Sequence, residues 1–363
     1  MSSPSTRTTL AEVASSAGVS VATVSKVVNG RSDVADTTRL RVQELLDSIG
    51  YRPRGPRRQV STVAGSIELA FEGDLHAYSA EIIQGVVDAA ASSGTPVVVT
   101  RRPTGSPPVE GPPEEWARDL AASGVGAYIA VTSVMSSDQI AALASAGVHL
   151  VVIDPIQLPN VDVTSVGSTN FAGGVSAAQH LLDLGHRRIA FLGGHPLASC
   201  NEARMHGYRA ALERADVLVP PEYVRSSHFM YVDGVTGGAA MLDLPEPPTA
   251  IFAASDEIAV GVMEAARARG LRIPDDLSIV GFDDTQLARM SSPPLTTVRQ
   301  PLTEMARVAV RTALRLMAGE TIESHHVELA TELVLRGSTA APGPLDDWAG
   351  RVGLSGTRSG ARG

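Results

Sequence analysis

The sequence predicts a small all-α helix-turn-helix domain joined to an α/β body with parallel sheets, and three observations lead there. Three short amphipathic patterns fill residues 9–50, the first two separated by a glycine turn. From about residue 63 onward, β-branched apolar runs alternate with helical patterns. Between these stretches lies RPRGPRRQVST (52–62), whose prolines, glycine and arginines suit a linker better than an element interior.

Residues 1–8 are Ser/Thr-rich and are expected to be disordered. The first helix opens on a capping box, Thr9-Leu10-Ala11-Glu12, and continues with an apolar stripe of Leu10, Val13, Ala14 and Ala17. Gly18 has the freedom for a left-handed turn, and Ser20 suits the N-cap of the second helix, Val21–Asn29. There Val24, Val27 and Val28 face inward, leaving Val21, Ala22, Ser25, Lys26 and Asn29 outward. Asp36 caps a third helix, whose Leu40, Leu45, Leu46 and Ile49 close a small core. Small leading residues bring a recognition helix close to base edges, with Thr23, Ser25 and Asn29 suited to phosphates. Lys26, the only lysine of the chain, suits guanine acceptors in the major groove. The alternative on pattern alone is a helical-hairpin interaction module with a solvated lysine.

Charge is divided accordingly. The 363-residue chain has a formal charge of −9, but its first sixty residues carry nine basic and five acidic groups, a net +4. The remainder stands at −13, so a small basic head is attached to an acidic body. A single cysteine, Cys200, excludes a disulfide scaffold and a multi-cysteine metal site. No run approaches the roughly 20 apolar residues of a membrane span, and the N-terminus lacks a signal-peptide core, so a cytoplasmic protein without membrane association is expected.

In the body, strands are expected at Ile67–Phe71, Val97–Thr100, Ala127–Thr132, His149–Asp154, Ile189–Gly193, Thr249–Ala254 and Leu277–Phe282, with a last one near Val327–Leu335. Helical patterns lie between them at Ala80–Ser93, Asp138–Ala146, Phe171–Leu184, Asn201–Arg214 and Glu257–Arg269. A body of this length is expected to split into two lobes, with residues 337–363 a flexible tail.

The string TLAEVASSAGVSVATVSKVVNGRSDVADTTRLRVQELLDSIGYRPR resembles the N-terminal domain of the LacI/GalR family of bacterial transcription regulators. HLLDLGHRRIAFLGG, ARMHGYRAAL, TAIFAASDEIAVGVMEAARARGLRIPDDLSIVGFDD and PPLTTVRQP stand in that family's order, so the resemblance covers about residues 9–336. It implies a helix-turn-helix domain over 9–54, a hinge over 55–62 and a two-lobed body like periplasmic sugar-binding proteins over 63–336. The first lobe is expected at about 63–157 plus 276–301, the second at about 158–275 plus 302–336. A homodimer on double-stranded palindromic operator DNA is implied, most simply a repressor of carbohydrate-use genes controlled by a small sugar-like effector. The DNA-contacting set is expected to be Thr9, Ser20, Val21, Ala22, Thr23, Ser25, Lys26 and Asn29, with Tyr51, Arg54, Arg57 and Arg58 from the hinge region.

For the effector, the resemblance implies that Asp256 accepts from hydroxyls, Arg204 donates to them and Phe229 stacks on the ring. It adds Asp154 near a crossover and Asp74, His76 and Tyr78 from the first lobe. A purine-like ligand is the alternative, as is a cytoplasmic solute-binding protein without DNA function. No Walker loop, H-E-x-x-H, G-x-S-x-G or full G-x-G-x-x-G occurs, so neither enzyme activity, cofactor nor metal is expected.

Two positions depart from the family. Lys26 stands where Arg is frequent, which loses the bidentate fork. The hinge lacks the Leu that relatives wedge into the minor groove, and Gly55-Pro56 disfavours a helix. Its arginines can grip phosphates instead; the alternative is a solvated basic linker. If they grip, replacing Arg57 and Arg58 with Ala flattens the salt dependence of operator binding by about 0.9 in log–log slope per lost phosphate contact, read from binding isotherms over a salt series.

Overall fold

A computed structural model describes residues 10–28, 34–48, 65–103, 111–156 and 163–343. Contacts divide the chain into Met1–Ser61 and Thr62–Gly363. Residues 1–8, the hinge 55–62, Thr9, Asn29, Tyr51, Arg54, Arg57 and Arg58 lie outside the described residues, as do 344–363 of the expected tail.

The head contains α1 (Leu10–Ala17), α2 (Val21–Val28) and α3 (Asp36–Ser48). Gly18 adopts φ +65°, and Val19 donates back to the Ala14 carbonyl at 3.0 Å, which stops α1 and aims α2. Ser20 Oγ accepts from the Thr23 amide at 3.1 Å, the expected N-cap. Val13, Ala14, Ala17, Val24, Val27, Val34, Val42 and Leu46 form its core. Leu40 is a correction: it is 63% exposed, because it lies about 200° around α3 from Val42, which is buried in its place.

In the body the chain runs through β1 (Ser66–Glu72), α4 (Ala77–Ser93), β2 (Val97–Arg102), α5 (Pro113–Ala122), β3 (Val125–Val131), α6 (Ser137–Ala146), β4 (His149–Ile153) and β5 (Thr164–Ser168). It then crosses to α7 (Asn170–Asp183), β6 (Ile189–Leu192), α8 (Ser199–Arg214), β7 (Val224–Arg225), α9 (Tyr231–Leu242), β8 (Ala250–Ala253), α10 (Asp256–Arg267), β9 (Ser278–Asp283), α11 (Gln286–Met290) and β10 (Thr296–Arg299). It returns for α12 (Leu302–Met317) and β11 (His326–Leu329), then crosses a third time into β12 (Glu332–Val334). The first sheet has the order β11-β5-β4-β3-β1-β2, all parallel; the second is β12-β10-β9-β8-β6-β7, with only β12 antiparallel. Each sheet has a separate apolar core, as two-sided burial of parallel strands requires.

This topology corrects the expected lobe boundaries. Residues 276–301 belong to the second lobe, because β9 pairs with β8 (Ala250 opposite Ser278) and β10 pairs with β9. Most of 302–336 belongs to the first: α12 buries Leu302, Met305 and Ala309 against Ile82 and Val86 of α4, and β11 pairs with β5. β5 itself, placed in the second lobe by sequence, pairs with β4 in the first. The single strand expected at Val327–Leu335 is two strands in different sheets, broken at Thr331, whose amide donates to Thr169 Oγ1 at 3.0 Å. The tail is corrected as well. Ser338 is fully buried and donates to the Ile279 carbonyl at 2.6 Å, and the Ala340 carbonyl meets His186 Nε2 at 2.9 Å.

Helix pairing in the second lobe rests on glycine. A Cβ on Gly174 of α7 would lie 2.3 Å from the Arg204 carbonyl of α8, and one on Gly207 would lie 2.2 Å from the Phe171 carbonyl. Neither contact can yield, since both are backbone. Gly174→Ala is therefore expected to push α7 from α8 and destabilise the body by about 1–3 kcal/mol, measured by thermal or urea unfolding.

Candidate functional site

The carboxyl ends of the two parallel sheets border one cleft, a cavity of about 350 Å³. Six of the seven residues expected to meet an effector line it: Asp74, His76, Tyr78, Asp154, Arg204 and Phe229. Glu72, Thr132, His195, His228, Glu257 and Asp283 also line it and were not singled out as effector contacts from sequence. Most follow strand ends or helix starts, a position that only the topology reveals.

In the first lobe, Tyr78 in the first turn of α4 donates through its hydroxyl to Asp154 Oδ2 at 2.7 Å. Asp154 follows β4 at φ +46° and is 4% exposed. Burial raises its carboxyl above the ordinary range, only partly offset by the Tyr78 hydroxyl and the Arg204 charge. Asp74 sits at the mouth, paired with Arg101 Nη1 at 2.5 Å.

In the second lobe, the close helix packing at Gly174 and Gly207 sets Arg204 on the cleft floor. Its Nε donates to Asn170 Oδ1 at 2.8 Å and its Nη1 to the Ala254 carbonyl at 2.6 Å. The guanidinium stacks 3.8 Å above the Phe282 ring and lies 3.8 Å from Asp283 Oδ1. Phe229 serves both core and cleft. Its ring occupies the space a Cβ on Gly194 would fill, 2.2 Å away, and the residue also lines the cavity. The second glycine of Gly193-Gly194 is thus a seat for this ring.

Asp256 is the correction. It is fully buried beneath the cavity, where Oδ2 accepts from the Thr285 amide (2.7 Å) and hydroxyl (2.9 Å). Oδ1 accepts from the Thr297 hydroxyl at 2.6 Å. Three strong donors hold the carboxylate on the sheet side of α10, so the next residue, Glu257, turns to the cleft instead. Asp283 completes the floor, with Oδ1 accepting from Gln300 Nε2 at 2.7 Å.

Backbone strain gathers here. Six non-glycine residues have positive φ among the described residues, and Thr132 (φ 45°), Asp154 (46°), Phe229 (67°) and Asp283 (115°) all line the cleft. Tertiary structure that tolerates such conformations at four strand and loop ends is fixing side-chain direction there. Among the described residues, no three His, Cys, Asp or Glu side chains converge as a metal site.

In the head, Val21, Ala22 and Lys26 of α2 are exposed, Ser20 is exposed as its cap, and Thr23 is half-buried. They form the outward face expected of a recognition helix. The Ser25 side chain lies outside the described residues.

Burial raises the pKa values of Asp256 and Asp283; the Asp256 charge raises Asp283 further, and the Asp284 charge does the same for Asp256. A carboxyl with a raised folded pKa stabilises fully below its ordinary value of 3.8 and loses that contribution as pH rises through the folded value. The melting temperature should therefore fall with rising pH above the ordinary carboxylate range, as the pair gives up its proton. Asp283→Asn should flatten the fall in thermal melts from about pH 5 to about pH 9.

Comparison with known proteins places these features. Residues 9–54 match the family model for bacterial regulatory proteins of the lacI family, and residues 178–339 match a periplasmic binding protein-like domain. The HTH-type transcriptional regulator DegA of Bacillus subtilis (strain 168) is 34% identical over 345 residues, covering 92% of this chain and 98% of DegA. Among solved structures, a complex of the transcriptional regulator CelR with cellobiose aligns with a TM-score of 0.67 at 33% identity, covering 92% of this chain and 100% of that one. A lac repressor dimer bound to operator and the anti-inducer ONPF aligns at 0.65 and 28% identity, covering 93% and 100%. The chain belongs to the lacI family of bacterial regulatory proteins, and it is a DNA-binding transcription regulator with a helix-turn-helix head and a periplasmic-binding-protein-like body.

Proposed function

We propose that this regulator is a cytoplasmic, dimeric repressor of genes for carbohydrate uptake or use. It binds a short palindromic operator, and a small sugar held in the cleft sets its affinity. One observation carries the effector assignment. Tyr78 and Asp154 from the first lobe and Arg204 and Asp283 from the second present donors and acceptors to one cavity of about 350 Å³, bordered by the Phe229 ring. Vicinal hydroxyls need such paired donors and acceptors, and a sugar ring needs an apolar face. The cellobiose held by CelR supports the choice of sugar, and the operator-bound lac repressor dimer supports two heads acting on half-sites about one helical turn apart.

The cleft is a binding site rather than a catalytic one. Cys200 lines it, but burial pushes its thiol up to about 11, so it stays protonated and poorly nucleophilic at neutral pH. Control is two-state: effector favours one arrangement of the lobes, and the dimer's paired first lobes pass that preference to the heads.

Thermal shift with cellobiose, glucose and ribose tests the assignment. A sugar at 100 times its Kd adds about 2.7 kcal/mol of stability, a rise of several degrees, and Asp154→Asn should lose most of that rise. Stabilisation by adenine or guanine with none by any sugar would instead give the cleft to a purine.

A further inference from the structure

α4 begins without a cap of its own. Its N-cap residue, His76, makes no side-chain capping hydrogen bond. The first amide of the helix, Ala77 N–H, donates instead to Glu257 Oε1 at 2.8 Å. Glu257 belongs to the other lobe, where it stands in the first turn of α10. One carboxylate thus lies between the positive ends of two helices that meet across the cleft. His76 Nδ1 sits 3.3 Å from the same oxygen, off the line of a hydrogen bond but close enough for an ion pair. Burial by itself would lower the His76 pKa, but Glu257, with Asp283 and Asp74 farther off, raises it. Glu257 is largely withdrawn from water, and burial there is outweighed by His76 and the Ala77 amide, so its pKa is lowered.

We infer that Glu257 is the positioning residue that holds the cleft closed, by capping α4 of the opposite lobe. Opening the lobes exchanges the carboxylate on the Ala77 amide for water, since His76 offers no side-chain cap in its place. The nearby Glu81–Arg289 pair, at 3.7 Å, spans the same two lobes but is largely exposed and contributes little. A separate contact crosses the cleft elsewhere. Ser199, at the start of α8, donates its amide (3.2 Å) and hydroxyl (2.8 Å) to the Ile156 carbonyl beyond β4. Its donors and acceptor are different atoms from those of the Glu257–Ala77 bond. Closure nevertheless joins the two: if Glu257 holds the lobes together, removing it must also release Ser199. The inference concerns closure and stands whether or not a sugar fills the cleft.

Hydrogen–deuterium exchange on the full-length protein tests it. In Glu257→Ala, the segments containing the Ala77 and Ser199 amides should both exchange faster, by about tenfold. Glu257→Gln keeps an acceptor oxygen but loses the charge between the helix ends, and should show a smaller rise at both sites. Arg289→Ala should match wild type. A rise at Ala77 alone would make Glu257 a local cap with no hold on the lobes, and no rise at either site would remove the cap itself. Either result overturns the inference. Should Glu257→Ala also expose β6 of the core, marking unfolding, the same two-site criterion applies to Glu257→Gln: a joint rise supports closure, and any other pattern overturns it.

Discussion

The buried guanidinium of Arg204 organises the cleft. It is 3% exposed, and it ties together the start of α7 through Asn170, the end of β8 through Ala254, and the end of β9 through Asp283. A charge so far from water persists only where its protons are matched by acceptors and its face by an aromatic ring, here Phe282. That demand reaches into the sequence. α7 and α8 must approach closely enough to seat Arg204, which fixes glycine at 174 and 207. Asp283 in turn occupies a left-handed backbone position where a longer or branched residue would be more strained.

Topology explains why a cleft forms here. In open parallel sheets the strand ends and helix starts gather on one edge, and ligands enter there. Two such edges face each other because the chain crosses three times between the lobes, near Thr169, after β10 and at Thr331. The strands of crossing hold the lobes at their base. Ser168 donates to Gln300 at 2.6 Å, and Thr169 meets Thr331 at 3.0 Å, so the crossings are bonded to one another. Tyr78 is bonded to Asp154 within the first lobe and Arg204 is paired with Asp283 within the second, so a sugar bound as proposed would bridge both pairs.

Much of this was legible in the sequence, and the misses share a cause. Local chemistry was readable: the Gly18 turn and the Ser20 cap follow from residue type alone, and α4, α6, α7, α8 and α10 begin and end within a few residues of their apolar patterns. Lobe membership was not readable, because β4, β6, β8 and β9 are all short, apolar and covered on both faces. Nothing in such a run says which sheet it joins; that is decided by pairing partners far away in sequence. The exchange of Asp256 for Glu257 has the same origin. Both residues suit the start of a helix and differ by about 100° around it. The choice between them is made by Thr285 and Thr297, whose hydroxyls draw Asp256 into the sheet. The broken strand at Thr331 is the same problem at smaller scale, since its cause is a hydroxyl 162 residues earlier.

The central claim is that occupancy of the cleft and affinity for operator are coupled. Fluorescence anisotropy of a labelled duplex carrying the operator, titrated with the protein at fixed salt, measures it directly. A saturating concentration of the sugar that stabilises the body should change the operator Kd by about 5–150-fold, the scale of a coupling of about 1–3 kcal/mol. Superimposable operator isotherms with and without that sugar would contradict the account.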